Sequence, residues 1–591
     1  MAITREISPE ARRDIEKFET QLSLYLSGQL EEDIFRVFRL NNGIYGQRQG
    51  GHNQMVRVKV PYGSLSPDQL EMLAHIADTY SRGWGHITTR QNIQFHFVAL
   101  ERIPEVLRDL ASVGLTTREA CGDTVRNVTG CHLAGACPFE VLDISPWAEA
   151  TYRHFIRNPI AQRLPRKFKI NFSGCTTDCG QAMFNDIGVV AVARPRDDGT
   201  VEPGFRVFIA GGLGANPHPA QALEEFTARE DLLATLEAVL RVFDHHGNRD
   251  NKLRARMKWL VDTLGIDELR ARVFKERRFL LASATWPGGV PELVEERGDG
   301  PAGVDVTVGA TPVGTPVTLR LKREGDAYGE WEKVNVVRGV AKGTVSAYAF
   351  ARIGDITSDQ FRALAAIQRD LGAEVRVTNR QNVVFRGLTE AQLGELHRRL
   401  DAIGMAEPGA ELARDVVACP GADTCNLAVT QSRGLADDIG RALDESGLAE
   451  VGGIRINISG CTNSCGQHHI SDIGFFGAER RAHGQAAPGY QMLLGGRVGQ
   501  TQVEFGEKAL RLPAKNVSQA VVQVVGRFAA ERTAGEQFSD WLERSGGPRA
   551  VGAELAHLDA FPTPEEGPEY YVDFDETGPY AKSIGASECA T

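Results

Sequence analysis

The chain contains no run of about eighteen apolar residues, so no membrane-spanning helix is expected. Nor does an apolar stretch follow the charged start from Met1 to Glu16, so no secretory signal is expected and the protein reads as cytoplasmic. Basic charge is not in excess: 66 Lys and Arg stand against 77 Asp and Glu, a net charge of −11. That balance argues against broad nucleic-acid binding, although a local cationic site for a small anion remains open. At 591 residues the chain is too long for one core and should divide into several domains.

Cysteine is present, and it is clustered. There are ten, and in a chain expected to be cytosolic their short spacings read as metal ligands sooner than as disulfides. Cys419-x5-Cys425 is followed, 35 residues later, by Cys461-x3-Cys465. Four thiols on two loops can hold one soft metal centre, which leaves an iron–sulfur cluster, zinc or copper(I). The x5 gap is wider than the usual zinc pair and tilts the choice toward a cluster. Unrelated buried thiols remain the plain alternative, and they are the expected reading for Cys121 and Cys589.

The chain repeats itself. Ile170 to Gln181 (INFSGCTTDCGQ) returns as Ile456 to Gln467 (INISGCTNSCGQ), and Asp186-Ile187-Gly188 returns as Asp472-Ile473-Gly474. Thr89-Arg90-Gln91-Asn92 returns as Asn379-Arg380-Gln381-Asn382, and Cys131-x5-Cys137 mirrors Cys419-x5-Cys425. Chance does not reproduce this order and spacing, so the chain is a tandem duplication. Within the first copy, a helix is predicted over 8–27, a strand over Met55–Val60, a helix from Ser66 to about Ser81, a strand around Ile87–Phe95 and a helix from Pro104 to Val113. Strand–helix alternation of this kind suggests a small α/β half-domain. Residues 286–333, rich in Gly, Pro and Val, form the seam, read as a surface connector with strand character.

Lys167 to Phe172 alternates: Phe168, Ile170 and Phe172 face a core, while Lys167, Lys169 and Asn171 share the other face and lead into Gly174-Cys175. Arg57, Arg90 and Arg126 lie on comparable segments. A solvated strand face is the bland account; cations from four segments suit a polyanion better. Their counterparts in the second copy are Tyr348, Arg380, Arg414, Gly453 and Arg455, so two of five positions have lost a cation.

These motifs resemble the sirohaem- and [4Fe–4S]-dependent sulfite and nitrite reductase family, of the assimilatory, ferredoxin-type sulfite reductase haemoprotein kind. The resemblance covers about Gly43 to Phe528. It rests on Thr89-Arg90-Gln91, Val125-Arg126-Asn127, Leu164 to Lys169, Cys419-x5-Cys425 and Cys461-x3-Cys465. It implies an α+β fold in which a ferredoxin-like half-domain plus a sirohaem-binding α/β domain is duplicated about a pseudo-two-fold axis. The implied boundaries are 1–49 for an N-terminal helical extension, 50–115 and 116–285 for the first copy, 334–405 and 406–535 for the second, and 536–591 for a C-terminal tail. By motif match, Cys419, Cys425, Cys461 and Cys465 would hold one [4Fe–4S] cluster, with Cys465 also bridging to the sirohaem iron. Arg90, Gln94, Asn127 and Asn463 join Cys465 as implied cofactor contacts, and Arg57, Arg126, Lys167 and Lys169 as the catalytic cations. Six-electron reduction of sulfite to sulfide is the implied activity, with nitrite to ammonia at the same centre as the alternative; the Lys-x-Lys pattern ending at Lys169 favours sulfite.

The first copy departs from the family in carrying a full quartet of its own, Cys131, Cys137, Cys175 and Cys179. That quartet reads either as a second cluster or as a relic of the duplication with bare thiols. A second sirohaem is disfavoured by Tyr348 and Gly453. Rival accounts are a non-catalytic iron–sulfur carrier, which leaves the cations without a task, and a structural zinc protein. Gly211-Gly212-Leu213-Gly214 follows a strand, but its recurrence as Gly495 to Gly499 assigns it to the repeat rather than to a nucleotide site. With no nicotinamide or flavin domain in view, electrons are expected from a separate protein, ferredoxin by resemblance. The basic runs Arg254-Arg256-Lys258 and Lys275-Arg277-Arg278 are candidates to receive such a donor, against the plainer reading of a solvated helix face.

Overall fold

In a computed structural model, residues 7–283, 326–339, 343–499, 502–583 and 585 are described. Among the described residues, the strands form four five-stranded sheets. Two are antiparallel and belong to the ferredoxin-like halves. The strands Asn53–Val58, Ile93–Ala99 and Trp84–Ile87 form the centre of the first, and Thr344–Ala349, Val383–Thr389 and Glu374–Val377 the centre of the second. Each sheet is completed by a strand from the other copy: Asp355–Thr357 pairs with Trp84–Ile87, and Ser64–Leu65 pairs with Glu374–Val377. This exchange welds the halves into one apolar core, in which Val56, Val58 and Phe95 lie with Ala347, Ala349 and Phe385, all without solvent exposure.

The helices that flank the exchange begin identically. Pro67–Tyr80 is capped by Ser66 and Ser358–Leu371 by Thr357, each in a reciprocal capping box with Gln69 or Gln360. Such a box satisfies two otherwise orphaned N–H groups and fixes where the helix starts. The predicted start of the N-terminal helix is likewise present, as Pro9–Leu26 capped by Ser8.

The other two sheets are mixed. Thr129–Gly130, Ile170–Ser173 and Ile187–Pro195 run parallel and continue antiparallel into Val201–Ile209 and Gln221–Thr227. Val417–Ala418, Ile456–Ser459, Ile473–Ala482, Gln485–Leu494 and Glu507–Pro513 repeat that order. The cysteine loops leave the ends of the two shortest parallel strands of each sheet. A small apolar cluster containing Met183, Phe184 and Phe208 from one copy and Ile470 and Val503 from the other closes the seam between these domains.

Two expectations need correction. The strand expected around Ile87–Phe95 is a hairpin: Trp84–Ile87 and Ile93–Ala99 flank a turn in which Thr88 Oγ1 accepts from the N–H groups of Arg90 and Asn92. Polar alternation ran through the turn because a threonine cap and an outward strand face have the same sequence signature. Of the seam, residues 284–325 lie outside the described residues, and its last stretch is helix Ala327–Asn335 rather than connector. The tail from 536 is folded, with helices Phe538–Arg544 and Gly547–Glu554; Cys589 lies outside the described residues.

Candidate functional site

The two hairpin turns, Thr88–Asn92 and Thr378–Asn382, reach across the pseudo-two-fold axis. Thr89 Oγ1 donates to the carbonyl of Cys465 (2.9 Å), and Asn379 Nδ2 donates to the carbonyl of Cys179 (2.6 Å). Gln91, at φ 56°, clamps its own copy through Gly130 and the other through the Val377 carbonyl. Gln381, at φ 67°, does the same with Ala418 and the Ile87 carbonyl. Each cysteine loop is therefore faced by the cationic turn of the opposite copy. The Thr89 bond sets the second-copy Cys465 loop against the first-copy turn that carries Arg90.

Those cations gather as a group. Arg90 donates to Asn171 Oδ1 (2.9 Å), Asn185 Oδ1 (3.4 Å) and the Asn127 carbonyl (2.7 Å), all neutral oxygens, and its buried Nε has no hydrogen-bond partner. Burial, then the charges of Arg126, Arg256 and Arg57, push its pKa down to about 9. Lys169 is pushed far down by burial and by Arg90, Arg256 and Lys167, with Asp186 the opposing influence. Arg126 is buried and donates only to the carbonyls of Ala120 and Gly122. Arg57 sits opposite Gln94 in register; with its amide oxygen turned toward Arg57, Gln94 accepts from Nε at 2.9 Å. Asn127 holds the Val60 and Arg90 carbonyls with Nδ2, which leaves its buried Oδ1 unused.

The second copy repeats this geometry with the charge cancelled. Arg380 Nη2 donates to the Asp415 carbonyl (3.0 Å), as Arg90 does to that of Asn127. Here, however, Asp415 and Glu411 lie 3.3 and 3.6 Å from the guanidinium. Arg414 is paired with Glu407 (2.9 Å) and Asp444 (3.2 Å). Tyr348, standing where Arg57 stands, is buried and hydrogen-bonded to His132 Nε2 (2.7 Å). Buried Asp186, paired with Arg256, bears on both Arg90 and Lys169, but the first-copy cations around it outnumber it, and buried excess positive charge favours an anionic ligand.

The thiols of Cys419, Cys425, Cys461 and Cys465 lie close enough to influence one another electrostatically. Burial, then its thiol neighbour Cys465, pushes Cys425 up to about 12; Cys419 and Cys461 are raised for the same reasons. Opposing this, backbone N–H groups of Gly421, Leu427 and Asn463 point at Cys419, Cys425 and Cys461, and Gly460 N lies 3.2 Å from Cys419 Sγ. N–H donors aimed at sulfur stabilise thiolate charge, as an iron–sulfur site requires. The loop is tightly wound: a Cβ on Gly466 would lie 1.9 Å from the Ile458 carbonyl. Asn463 is exposed at the loop surface. Among the described residues, no three His, Cys, Asp or Glu side chains are grouped to hold a single metal ion.

Two family descriptions match the sequence: "Nitrite and sulphite reductase 4Fe-4S domain" over residues 121–279 and 409–551, and "Nitrite/Sulfite reductase ferredoxin-like half domain" over 45–113 and 339–403. The chain belongs to the sirohaem-[4Fe–4S] sulfite and nitrite reductase family. It is 32% identical over 526 residues to the assimilatory ferredoxin-dependent nitrite reductase of Haloferax mediterranei, covering 86% of this chain and 85% of that protein. It is 30% identical to the ferredoxin sulfite reductase of Mycobacterium tuberculosis (strain CDC 1551 / Oshkosh), covering 85% and 87%. The solved structure of Mycobacterium tuberculosis NirA superposes with a TM-score of 0.72 at 28% identity, covering 90% of this chain and 96% of that one. The α+β fold with duplicated ferredoxin-like half-domains and the assignment to oxidoreductases follow from this membership.

The family's cofactors find fitting residues. Arg57, Arg90, Arg126, Lys167 and Lys169 form a cationic surface of the kind a polycarboxylate needs, and the second-copy thiols have the donor set and N–H groups of a cluster site. Arg256 pairs with Asp186 at 2.8 Å beside Lys169, a setting that the sequence did not suggest. The expectation that Arg254, Arg256 and Lys258 form one donor-facing or solvated surface fails: Arg256 and Lys258 are largely buried, and Lys258 donates to the Leu213 carbonyl at 3.2 Å. In the second run, Arg277 is tied to Glu224 and Thr235. Also missed was Lys59, buried against Glu119 at 3.5 Å beneath the Arg126 loop. The C-terminal tail is a further surprise. It lies over the Cys419–Cys425 loop, with Tyr580 donating to the Val429 carbonyl (3.1 Å) and Asp573 accepting from Gln431 N (3.0 Å).

Proposed function

We propose that the protein reduces sulfite to sulfide in a six-electron reaction, at sirohaem held between the first-copy cations and a [4Fe–4S] cluster on Cys419, Cys425, Cys461 and Cys465. The observation that carries this is the excess of buried cations around Arg90 and Lys169 over their carboxylate Asp186, set against the Cys465 loop by the Thr89 hydrogen bond. When bound, sirohaem and the cluster supply the reducing electrons and the site at which they are used. The chain's own residues do the rest. Arg90, with Gln94, Asn127 and Asn463 nearby in the fold or on the facing loop, would meet the cofactor's carboxylates. Arg57, Arg126, Lys167 and Lys169 draw in the substrate anion and stabilise negative charge as oxygen departs. Lys169 shares the strand face of this cationic group, from which its ammonium is suited to deliver a proton to the departing oxygen.

Nitrite is the second reading. It is favoured by the name of the Haloferax relative and by the similar anionic character of the two substrates. The ferredoxin dependence named for both relatives supports a separate ferredoxin as electron donor here. Steady-state turnover with reduced ferredoxin, measuring sulfide and ammonia separately, tests the assignment. A higher kcat/KM for sulfite is expected. Ammonia formation with no sulfide would replace the first reading with the second.

A further inference from the structure

The first-copy thiols remain to be explained, and they are built like their twins. Cys131, Cys137, Cys175 and Cys179 leave the same two parallel strands, Thr129–Gly130 and Ile170–Ser173, at the same spacing. All four are free thiols, and Cys175 lies within electrostatic reach of each of the other three. The N–H of Leu133 points at Cys131 and that of Phe139 at Cys137, two residues on in each case, as Gly421 and Leu427 serve Cys419 and Cys425.

The second loop of the quartet is wound the same way. A Cβ on Gly180 would lie 1.9 Å from the Phe172 carbonyl, matching Gly466 and Ile458. Asp178 and Gln181 have φ 56° and 58°, where Ser464 and Gln467 have 57° and 64°. Left-handed backbone at non-glycine residues costs free energy, and a relic loop under no constraint would be expected to relax. Here the strain is kept at both of these positions of the second loop.

The surroundings add charge of the right sign. Arg376 and Arg386 of the second copy are almost completely buried against this quartet's first loop. Arg376 Nη1 lies 3.4 Å from the Cys131 carbonyl, and Arg386 donates to the Ala134 carbonyl. Half-exposed Glu374 is shared between them, at 3.9 and 3.1 Å, and Glu140 and Asp143 of the first copy also lie within electrostatic reach, so the two guanidiniums are partly offset. At the pseudo-symmetric positions the first copy has His86 and His96, both held toward the neutral form, chiefly by burial. Two guanidiniums beside four thiols suit a group that is a net anion once its thiolates are ligated.

The far side of this site is closed to a large tetrapyrrole anion. Tyr348 and His132 bond across it, and Glu411 and Asp415 already neutralise Arg380.

We propose that Cys131, Cys137, Cys175 and Cys179 hold a second [4Fe–4S] cluster, with no haem on its far side. The inference rests on reading the twin quartet as a cluster site, since the argument is one of likeness within the chain. The test is a count of iron, acid-labile sulfide and extracted sirohaem in anaerobically reconstituted, full-length enzyme. About nine iron atoms and about eight sulfides per sirohaem are expected, against about five and about four for a single coupled centre. The double variant Cys175→Ser/Cys179→Ser should lose about half of the labile sulfide and keep its sirohaem, whose retention reports correct folding. About four sulfides per sirohaem in the wild type, with or without zinc, would overturn the proposal, and so would undiminished sulfide in a folded variant. If the variant does not fold, the wild-type count decides. Absence of sirohaem would instead count against the proposed function, so the two failures are distinguishable.

Discussion

Arg90 and Arg380 occupy one position in two copies of one fold and have opposite electrostatic settings. Asn127 stands beside the first and Asp415 beside the second, and that single difference helps leave one guanidinium in search of an anion. Asn127→Asp should therefore import the second-copy arrangement and quench Arg90. Its expected effect is at least about a tenfold loss of sirohaem per chain, read from the extracted pigment, because charge-assisted bonds to the cofactor are replaced by an internal pair. Removing the cation from the substrate side, Lys169→Ala, should lower kcat about 10²-fold or more while sirohaem is retained. The sign of the pH effect follows from Lys169. Its pKa is depressed in the anion-free site, and a bound anion raises it again, so the complex holds more protons than the free protein. Affinity for nitrite should consequently fall as pH rises above the free-site pKa, and Lys169→Gln should flatten that slope in a KM–pH profile. Beneath these groups, Glu119 is fully buried and holds Lys59 and the Arg157 N–H. Glu119→Gln should cost about 3 kcal/mol in denaturant unfolding by leaving Lys59 unpaired.

At the scale of elements, the two half-domains and the cysteine loops were legible because a duplication prints its own alignment. What misled was local. Thr88 to Asn92 read as strand because the turn's polar residues keep the alternation of its neighbours, although Thr88 is spent on capping the turn. Arg256 and Lys258 read as surface because a basic run carries no mark of the buried Asp186 and the Leu213 and Asn216 carbonyls that receive it. The tail could not be read at all. It has no counterpart in the first copy, and its contacts at Val429 and Gln431 are made through backbone groups that any sequence presents. Its placement has a consequence. Truncation before Gly567 would remove Asp573 and Tyr580 from the Cys419–Cys425 loop, and cluster bleaching in air should become several-fold faster than in the full chain, followed by absorbance.

At the scale of the molecule, strand exchange between the ferredoxin-like sheets makes the two copies one body, which is what allows each copy to serve the other's thiols. Opposition of like loops on a pseudo-two-fold axis gives two sites by construction. Loss of cations and gain of carboxylates then turn one of them into a closed, internally paired face. The asymmetry, more than the motifs themselves, is the evidence that a polyanionic cofactor and an anionic substrate belong on the first-copy side. A non-catalytic carrier would have no need of it. The absorption spectrum of the iron-replete protein, recorded before and after addition of sulfite or nitrite, tests this most directly. A Soret band and a red-region band that shift with the anion are expected, and the shift should be weakened in Lys169→Ala; iron-replete protein lacking both bands would contradict the account.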